Sequence, residues 1–158
     1  MRTAAVLSFI HPFLPSNKRE GRVPERPALI LLVDDVEDAR DIYSTYLTFH
    51  GYEIVCAADG PEAIRVAEQQ RPTLILMDLR LPGMTGTEAL HALRARPQFA
   101  NVPIVAFTAH ALDDERREAL RDGFDAFITK PCLPDDLLST INDILAQWPV
   151  RRVGDREE

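Results

Sequence analysis

The feature that most constrains the fold is a series of short apolar runs, each followed by polar or turn-forming residues. The clearest are residues 28–33 (ALILLV), 74–77 (LILM) and 104–107 (IVAF). Short apolar runs with turn signals behind them are typical of strands buried in a parallel sheet. Between them lie segments whose apolar residues recur at helical spacing. The chain is therefore predicted to alternate strands with helices.

Five strand–helix units are predicted between residues 28 and 148. The predicted strands are residues 28–33, 53–57, 74–77, 104–107 and 126–128. The predicted helices are residues 36–50, 61–70, 85–96, 113–122 and 134–147. Alternation of this kind produces a parallel sheet with helices on both faces. The predicted fold class is therefore α/β, with a doubly wound five-stranded parallel sheet.

The 158 residues of the chain are enough for one domain with its own core. Residues 28–148 are predicted to form that domain. Residues 1–27 contain four of the twelve prolines and show no sustained periodicity, so we expect them to be a mobile N-terminal extension. Residues 149–158 are expected to be a short C-terminal tail.

Composition excludes several classes of function. The net charge is −7, and the basic residues of the extension leave the predicted domain more acidic still. An acidic domain does not gain affinity for nucleic acid by counterion release, so no nucleic-acid partner is expected. No apolar stretch is long enough to span a membrane. Cys56 and Cys132 form no disulfide framework, and a cytoplasmic protein with reduced thiols is expected.

Four charged residues come just after three of the predicted strands. Asp34 and Asp35 follow the first strand, and Asp78 follows the third. Lys130 comes just after the fifth strand and directly before Pro131. Because the carboxyl ends of parallel strands converge on one crevice, we expect these side chains to meet. Crowded carboxylates repel one another, so the crevice is expected to need a hard divalent cation, for which Mg²⁺ is the best candidate.

These residue types suit phosphoryl transfer. The carboxylate of Asp78 can act as a nucleophile and take a phosphoryl group as an aspartyl phosphate. Such a transfer requires mainly positioning and neutralisation of the phosphoryl oxygens. The aspartate pair would hold the metal and Lys130 would supply a cation. Thr108, at the end of the fourth strand, would supply a hydroxyl group.

Each residue taken alone also has a simpler explanation. Asp34 or Asp35 could cap the helix that follows, and Thr108 could be an ordinary β-branched strand end. Lys130 could be a solvated surface charge. However, the only lysines in the chain are Lys18 and Lys130, so a generic surface charge would usually be arginine. The glycines near the site are predicted to be turn or cap residues and not a phosphate-binding loop: Gly60, Gly83, Gly86 and Gly123.

The combined segments resemble the receiver domain of two-component response regulators over residues 28–148. The segments that carry the resemblance are LLVDDVEDAR, LILMDLRLPGMTG, PIVAFTA and FITKP. The resemblance implies a flavodoxin-like sheet with the strand order 2-1-3-4-5. It also implies a signalling switch that catalyses only its own phosphorylation and dephosphorylation and is not otherwise an enzyme.

The resemblance implies a phosphoacceptor and a metal site. Asp78 is implied to accept the phosphoryl group. Asp35 and Asp78 are implied to bind Mg²⁺ directly, together with the backbone carbonyl of Arg80. Asp34 is implied to act on the metal largely through water.

Further roles follow from the same resemblance. Thr108 and Lys130 are implied to hold the phosphoryl group. Phe127 is implied to be the switch aromatic, which would rotate inward as Thr108 moves towards the phosphoryl oxygens. The peptide bond before Pro131 is implied to be cis, an isomer that proline tolerates.

Two positions are implied to tune the lifetime of the aspartyl phosphate. Arg80 lies two residues past Asp78, and His110 lies two residues past Thr108. Both side chains are bulky and can form hydrogen bonds. Whether they slow or assist the attack of water stays open at this point.

The implied partners are a histidine kinase or a histidine phosphotransfer protein, and an output protein that the sequence does not identify. No effector segment is visible, so a stand-alone receiver is expected, as a monomer or a phosphorylation-dependent dimer. Helix 36–50 and the loop at 131–134 are predicted to dock the kinase.

Two alternatives remain open. An aspartate-nucleophile phosphohydrolase would use the same residue types, but it would need a general acid two residues past its nucleophile. Arg80 occupies that position and cannot donate a proton at neutral pH. A phosphate-independent interaction module would keep the fold without the chemistry. The complete acidic set argues against that second alternative.

Overall fold

Strands and helices alternate in the computed structural model, which describes residues 27–110 and 112–148. The strands are β1 (Leu29–Val33), β2 (Glu53–Ala57), β3 (Leu74–Met77), β4 (Ile104–Thr108) and β5 (Ala126–Thr129). The helices are α1 (Glu37–Phe49), α2 (Gly60–Gln70), α3 (Gly86–Arg94), α4 (Asp113–Asp122) and α5 (Pro134–Gln147). A short 3₁₀ turn, Pro97–Phe99, lies between α3 and β4.

All five strands are parallel and lie in the order β2-β1-β3-β4-β5. The sequence-based fold class and the strand order implied by the resemblance are both confirmed. In the register of the sheet, Val33 pairs with Met77, and Met77 pairs with Ala106. The carboxyl ends of the three central strands therefore lie side by side, and the polar residues that follow them emerge at one edge.

Each face of the sheet is covered by its own hydrophobic cluster. Alternate residues of β1 show the division, since Leu31 packs in one cluster and Leu32 in the other. Leu90 of α3 belongs to the first cluster and Ile141 of α5 to the second. Complete burial of one such side chain contributes about 1.5–3 kcal/mol to stability. The sheet is therefore a rigid base for the loops at its carboxyl edge.

Helix α3 differs most from its predicted bounds of 85–96. It begins at Gly86 because Thr85 and Glu88 form a reciprocal capping box, in which each side chain accepts a hydrogen bond from the other's backbone N–H. It ends at Arg94, and the 3₁₀ turn takes over before β4. The two outer residues Thr108 and Thr129 pair with each other, so β4 and β5 are each one residue longer than predicted.

The segments predicted as a mobile extension, 1–27, and as a tail, 149–158, lie outside the described residues except for Pro27. Within the described part of the chain, no helix combines the length and apolar character that a membrane crossing requires.

Candidate functional site

Three carboxylates meet at the carboxyl edge of the sheet. Asp34 and Asp35 follow β1, and Asp78 follows the neighbouring strand β3. One carboxylate oxygen from each lies within 4.8 Å of the other two. Asp34 and Asp78 are buried, whereas Asp35 is exposed at the mouth of the crevice. The structure thus brings together the acidic residues that the strand pattern predicted to converge.

Lys130 brings a single positive charge into this acidic group. Its ammonium Nζ donates a hydrogen bond to the Asp34 carboxylate and another, 3.1 Å long, to Asp78 Oδ2. Burial alone lowers the pKa of Lys130, but its hydrogen bonds and the charges of Asp34 and Asp78 together outweigh burial and raise the pKa above its usual value. The side chain is therefore an ammonium at neutral pH. One ammonium beside three carboxylates leaves an excess of negative charge.

Backbone donors orient the two buried carboxylates. The N–H of Val36 donates to Asp34 Oδ1 over 2.9 Å, and the N–H of Arg80 donates to Asp78 Oδ1 over 3.1 Å. The Arg40 guanidinium donates to the backbone oxygen of Asp34 over 2.7 Å. The acidic group is therefore fixed in place by the loops that carry it.

A backbone hydrogen bond connects Thr108, the last residue of β4, to Lys130, the residue after β5. The N–H of Lys130 donates to the carbonyl oxygen of Thr108 over 2.8 Å, and the Lys130–Pro131 peptide bond is cis. Thr108 is completely buried, and its Oγ1 accepts a hydrogen bond from the N–H of His110 over 3.3 Å. The Phe127 ring has no exposed surface in this structure, so it already lies inward. The backbone of Thr108 therefore lies next to that of Lys130, and the peptide bond before Pro131 has the cis isomer that the resemblance implies.

Gly86 fixes the loop that follows Asp78. A Cβ atom at this position would lie 2.1 Å from the backbone oxygen of Asp78 and 2.9 Å from Cα of Leu79. The first residue of α3 therefore packs directly on the backbone of the loop, where only glycine fits. The sequence indicated only a turn or cap glycine at this position. A contact between two backbones leaves no periodic signal, so the close approach to Asp78 was not predicted.

The two predicted lifetime positions line one groove beside the crevice. Arg80 and His110 are both exposed and border a groove of about 270 Å³ between the β3–α3 loop and α4. The Arg80 guanidinium forms an ion pair with Glu115 of α4, with Nη2 3.1 Å from Oε1. Sequence reasoning did not single out Glu115, because the charged residues of α4 have the pattern of a solvated helix face.

The donor set fits a magnesium ion. Mg²⁺ is a hard cation that binds carboxylate, carbonyl and water oxygens. Asp34, Asp35 and Asp78 offer only oxygen donors, and these converge from two adjacent strand ends. Neither histidine nor cysteine belongs to this cluster in the described part of the chain, so softer transition metals find no preferred ligand in it.

A doubly wound sheet of this strand order, with an acidic crevice and a lysine at its carboxyl edge, is the arrangement of the receiver modules of two-component signalling. The chain belongs to the response regulator receiver domain family, whose model matches residues 30–142. It is 40% identical over 114 residues to the luminescence regulatory protein LuxO of Vibrio campbellii, an alignment that covers 72% of this chain and 25% of the relative. The chain thus spans about a quarter of the length of the LuxO proteins that it matches.

Solved structures show the same similarity. The chemotaxis protein CheY4 of Vibrio cholerae superposes with a TM-score of 0.72 at 34% identity, covering 75% of this chain and 98% of the other. The receiver domain of the sensor histidine kinase PA1611 from Pseudomonas aeruginosa PAO1 gives a TM-score of 0.68 at 37% identity, covering 77% and 97%. That receiver has a magnesium ion coordinated in its active site cleft.

Proposed function

We propose that the chain is a phosphorylation-activated switch of a two-component phosphorelay. Asp78 accepts a phosphoryl group from a phosphohistidine on a histidine kinase or histidine phosphotransfer protein. The observation that carries the proposal is the Lys130 ammonium hydrogen-bonded to Asp78 inside a group of three carboxylates. This arrangement supplies a nucleophile and a cation for the phosphoryl oxygens in one crevice.

Mg²⁺ is the proposed cofactor. Asp35, Asp78 and the backbone carbonyl of Arg80 would bind it directly, and Asp34 would act largely through water. When bound, the ion would neutralise negative charge on the phosphoryl oxygens. The exposed position of Asp35 supports this assignment, because a metal that enters from solvent meets this carboxylate first.

The transfer itself forms one bond and breaks one. A carboxylate oxygen of Asp78 bonds to phosphorus as the phosphorus–nitrogen bond of the phosphohistidine breaks, and the imidazole nitrogen keeps the electron pair. Lys130 keeps one partner in Asp34 while its hydrogen bond to Asp78 passes to a phosphoryl oxygen. Thr108 moves its hydroxyl towards another phosphoryl oxygen, and Phe127 responds to that movement.

The phosphohydrolase alternative lacks the general acid that it needs two residues past the nucleophile. The residue two past Asp78 is Arg80, whose side chain is exposed and paired with Glu115. Arginine does not release a proton at neutral pH, so it cannot protonate a leaving alcohol. We therefore propose a signalling switch that acts through an output protein, and not an enzyme with an external substrate.

A surface for the phosphodonor lies next to the crevice. Four large apolar side chains are exposed on α1, at the residue before it and on the β5–α5 loop: Val36, Ile42, Phe49 and Leu133. Phe49 is 85% exposed. An apolar groove of about 540 Å³ lies between α1 and Pro134. We propose that the helical surface that carries the phosphohistidine docks here, because Val36 directly follows Asp35 and Leu133 lies three residues past Lys130.

The remaining proposals concern the domain bounds, the cellular compartment, the oligomeric state and nucleic-acid binding. Residues 28–148 form the receiver domain, with 1–27 as an extension and 149–158 as a tail. The receiver works in the cytoplasm, where its kinase partner presents the phosphohistidine, and it signals as a monomer or a phosphorylation-dependent dimer. The acidic charge of the chain supports the absence of a nucleic-acid partner.

Incubation with Mg²⁺ and acetyl phosphate tests the proposal. The intact mass of the parent should increase by one phosphoryl group, and Asp78→Asn should show no increase, because the amide is not a nucleophile. Binding of beryllofluoride with Mg²⁺ gives a second readout that requires no covalent chemistry. A parent protein that neither gains mass nor binds beryllofluoride would contradict the proposed switch and favour a phosphate-independent module.

A further inference from the structure

Arg80 contacts two different parts of the molecule. Its backbone N–H donates to Asp78 Oδ1 over 3.1 Å, so the residue starts beside the phosphoacceptor. Its guanidinium extends in another direction and donates to Glu115 Oε1 in the first turn of α4, also over 3.1 Å. One residue therefore joins the loop of the reactive carboxylate to a helix that supplies no site residue.

The Arg80–Glu115 ion pair is suited to being exchanged. The side chains are 63% and 30% exposed, and ion pairs exposed to this extent are weak because water and salt compete with them. The second oxygen, Glu115 Oε2, is buried and has no hydrogen-bond partner among the described residues. The carboxylate is therefore held on one side only.

A phosphoryl group on Asp78 would be a stronger partner for the guanidinium. It carries nearly two negative charges and three acceptor oxygens, and hydrogen bonds between arginine and phosphate are strengthened by charge. The Arg80 backbone already lies against the Asp78 carboxylate. The guanidinium would turn from Glu115 to the phosphoryl group by a change of side-chain rotamer.

We propose that Glu115 is a positioning residue that holds Arg80 away from the phosphoacceptor, and that phosphorylation transfers the Arg80 guanidinium from Glu115 to the phosphoryl group. This inference rests on the proposed function, since it requires a phosphoryl group on Asp78. The Glu115 carboxylate and the phosphoryl group compete for the Arg80 guanidinium. The state of Asp78 is thereby communicated to α4.

The first turn of α4 also contacts the proposed switch aromatic. Arg116, the residue after Glu115, places its guanidinium carbon 5.7 Å from the centroid of the Phe127 ring. Release of Arg80 would leave the Glu115 carboxylate without its cation, and its buried oxygen Oε2 would gain a partner if the turn shifted to admit water. The same shift would move the Arg116 guanidinium relative to the Phe127 ring.

Calorimetric titration of the full chain with beryllofluoride in the presence of Mg²⁺ tests the exchange. Glu115→Gln removes the competing anion and should tighten binding about threefold, a factor that corresponds to a weak exposed ion pair. Glu118→Gln is the matched control. It removes the same charge from an exposed residue of the same helix that borders the same groove, and it should change the affinity much less.

The Arg80→Met background distinguishes exchange of the Arg80 guanidinium from a simple change in the electrostatic field at the crevice. In that background Glu115→Gln should give no gain, because no guanidinium is left to be released. An equal gain in that background, or an equal gain from Glu118→Gln, would overturn the inference. An unchanged affinity in Glu115→Gln alone would overturn it as well. Thermal melting of each variant without ligand verifies that all of them are folded.

Binding of beryllofluoride to the parent protein distinguishes failure of the Arg80 exchange from failure of the proposed function. A parent that binds beryllofluoride while Glu115→Gln behaves like the parent contradicts only the exchange of Arg80. A parent that binds no beryllofluoride contradicts the proposed function and the exchange together, since Arg80 then has no second partner. Amide hydrogen exchange of Arg116, whose N–H donates to the carbonyl oxygen of Leu112 over 3.0 Å, adds a direct readout, because it should increase when beryllofluoride binds to the parent.

Discussion

Lys130 donates a hydrogen bond to Asp78 across a strand, from the end of β5 to the end of β3, with Nζ 3.1 Å from Oδ2. The strand between them, β4, supplies Phe107, and the ammonium lies 5.2 Å from the centroid of its ring. The lysine side chain therefore crosses an aromatic face to reach the acidic group, where it also binds Asp34. The Lys130 ammonium therefore links the carboxyl ends of β1, β3 and β5.

Replacement of Lys130 by Met should destabilise the protein when Mg²⁺ is absent. The side chains of Asp34 and Asp78 are only 1% and 10% exposed, and the substitution leaves both without their cation. Loss of one partner from a buried ion pair costs about 3 kcal/mol. Urea unfolding should show a decrease of that size, and Mg²⁺ should restore part of it.

A second substitution controls this prediction. Asp34→Asn in the Lys130→Met background removes one of the uncompensated charges and should recover part of the lost stability. Equal stability of Lys130→Met and the parent in EDTA would show that the ammonium does not compensate the carboxylates.

Replacement of Asp35 by Asn should have the opposite effect without metal. Asp35 adds a third negative charge within 4.8 Å of two others, and repulsion between two charges at this distance costs about 1 kcal/mol even in water. Asp35→Asn should therefore raise the free energy of unfolding by about 1 kcal/mol in EDTA. It should also weaken the stabilisation that Mg²⁺ gives to the parent, because a proposed ligand is lost.

Asp38→Asn is the matched control for Asp35→Asn. It removes the same charge from a nearby residue in the first turn of α1, where the helix dipole favours an acid, and it should not raise stability. A parent that is more stable in EDTA than Asp35→Asn would contradict the idea that charge crowding strains the site.

The sequence was sufficient to predict the sheet and the convergence of its polar ends. Apolar runs mark the strands, and the parallel order brings Asp34, Asp78, Thr108 and Lys130 to one edge whatever the details of the loops. These features depend on periodicity and topology, which are local or follow from chain connectivity.

Contacts between helices and loops were not predictable in the same way. Glu115 of α4 belongs to a row of charged residues, and nothing in that row shows which member reaches across to Arg80. Gly86 has the spacing of a cap residue, and its close approach to the Asp78 backbone depends on how α3 is tilted against the sheet. Such contacts depend on tertiary packing that a single sequence does not encode locally.

Replacement of Gly86 by Ala should disturb the phosphoacceptor loop. The added Cβ would meet the backbone oxygen of Asp78 at 2.1 Å, and backbone cannot rotate away as a side chain can. We expect a loss of about 3 kcal/mol, at the upper end of the range for overpacking, together with weaker Mg²⁺ binding. Urea unfolding and magnesium titration measure the two effects.

Gly60→Ala is the control for Gly86→Ala. Its Cβ would meet the Met84 side chain, with the sulfur at 2.8 Å and Cβ and Cγ at 2.9 Å, and not the backbone of the phosphoacceptor loop. Gly60→Ala should therefore lower stability but leave Mg²⁺ binding unchanged. An equal weakening of Mg²⁺ binding in the two variants would show that Gly86→Ala does not act through the Asp78 backbone.

Far from the site, Arg94 connects the end of α3 to the start of the two last strands. One guanidinium nitrogen, Nη1, donates to the backbone oxygens of Phe99 and Val102 over 2.6 and 2.7 Å. The other, Nη2, donates to Asp125 Oδ2 over 2.6 Å, and the same oxygen accepts the backbone N–H of Ile104 over 2.8 Å. The side chains of Arg94 and Asp125 are 23% and 21% exposed.

Arg94→Met should therefore lower stability without affecting phosphoryl acceptance. It removes one hydrogen-bond donor from each of two backbone carbonyls and from a largely buried carboxylate, which costs about 3 kcal/mol in total. Arg65→Met is the control, because Arg65 pairs with Glu62 at 3.6 Å and the two side chains are 58% and 38% exposed. That change should cost less than about 0.5 kcal/mol. Folded Arg94→Met should still gain one phosphoryl group from acetyl phosphate, since Arg94 contacts the amino ends of the strands and the crevice lies at their carboxyl ends. Equal unfolding midpoints in urea for the two variants would contradict the stabilising role of Arg94.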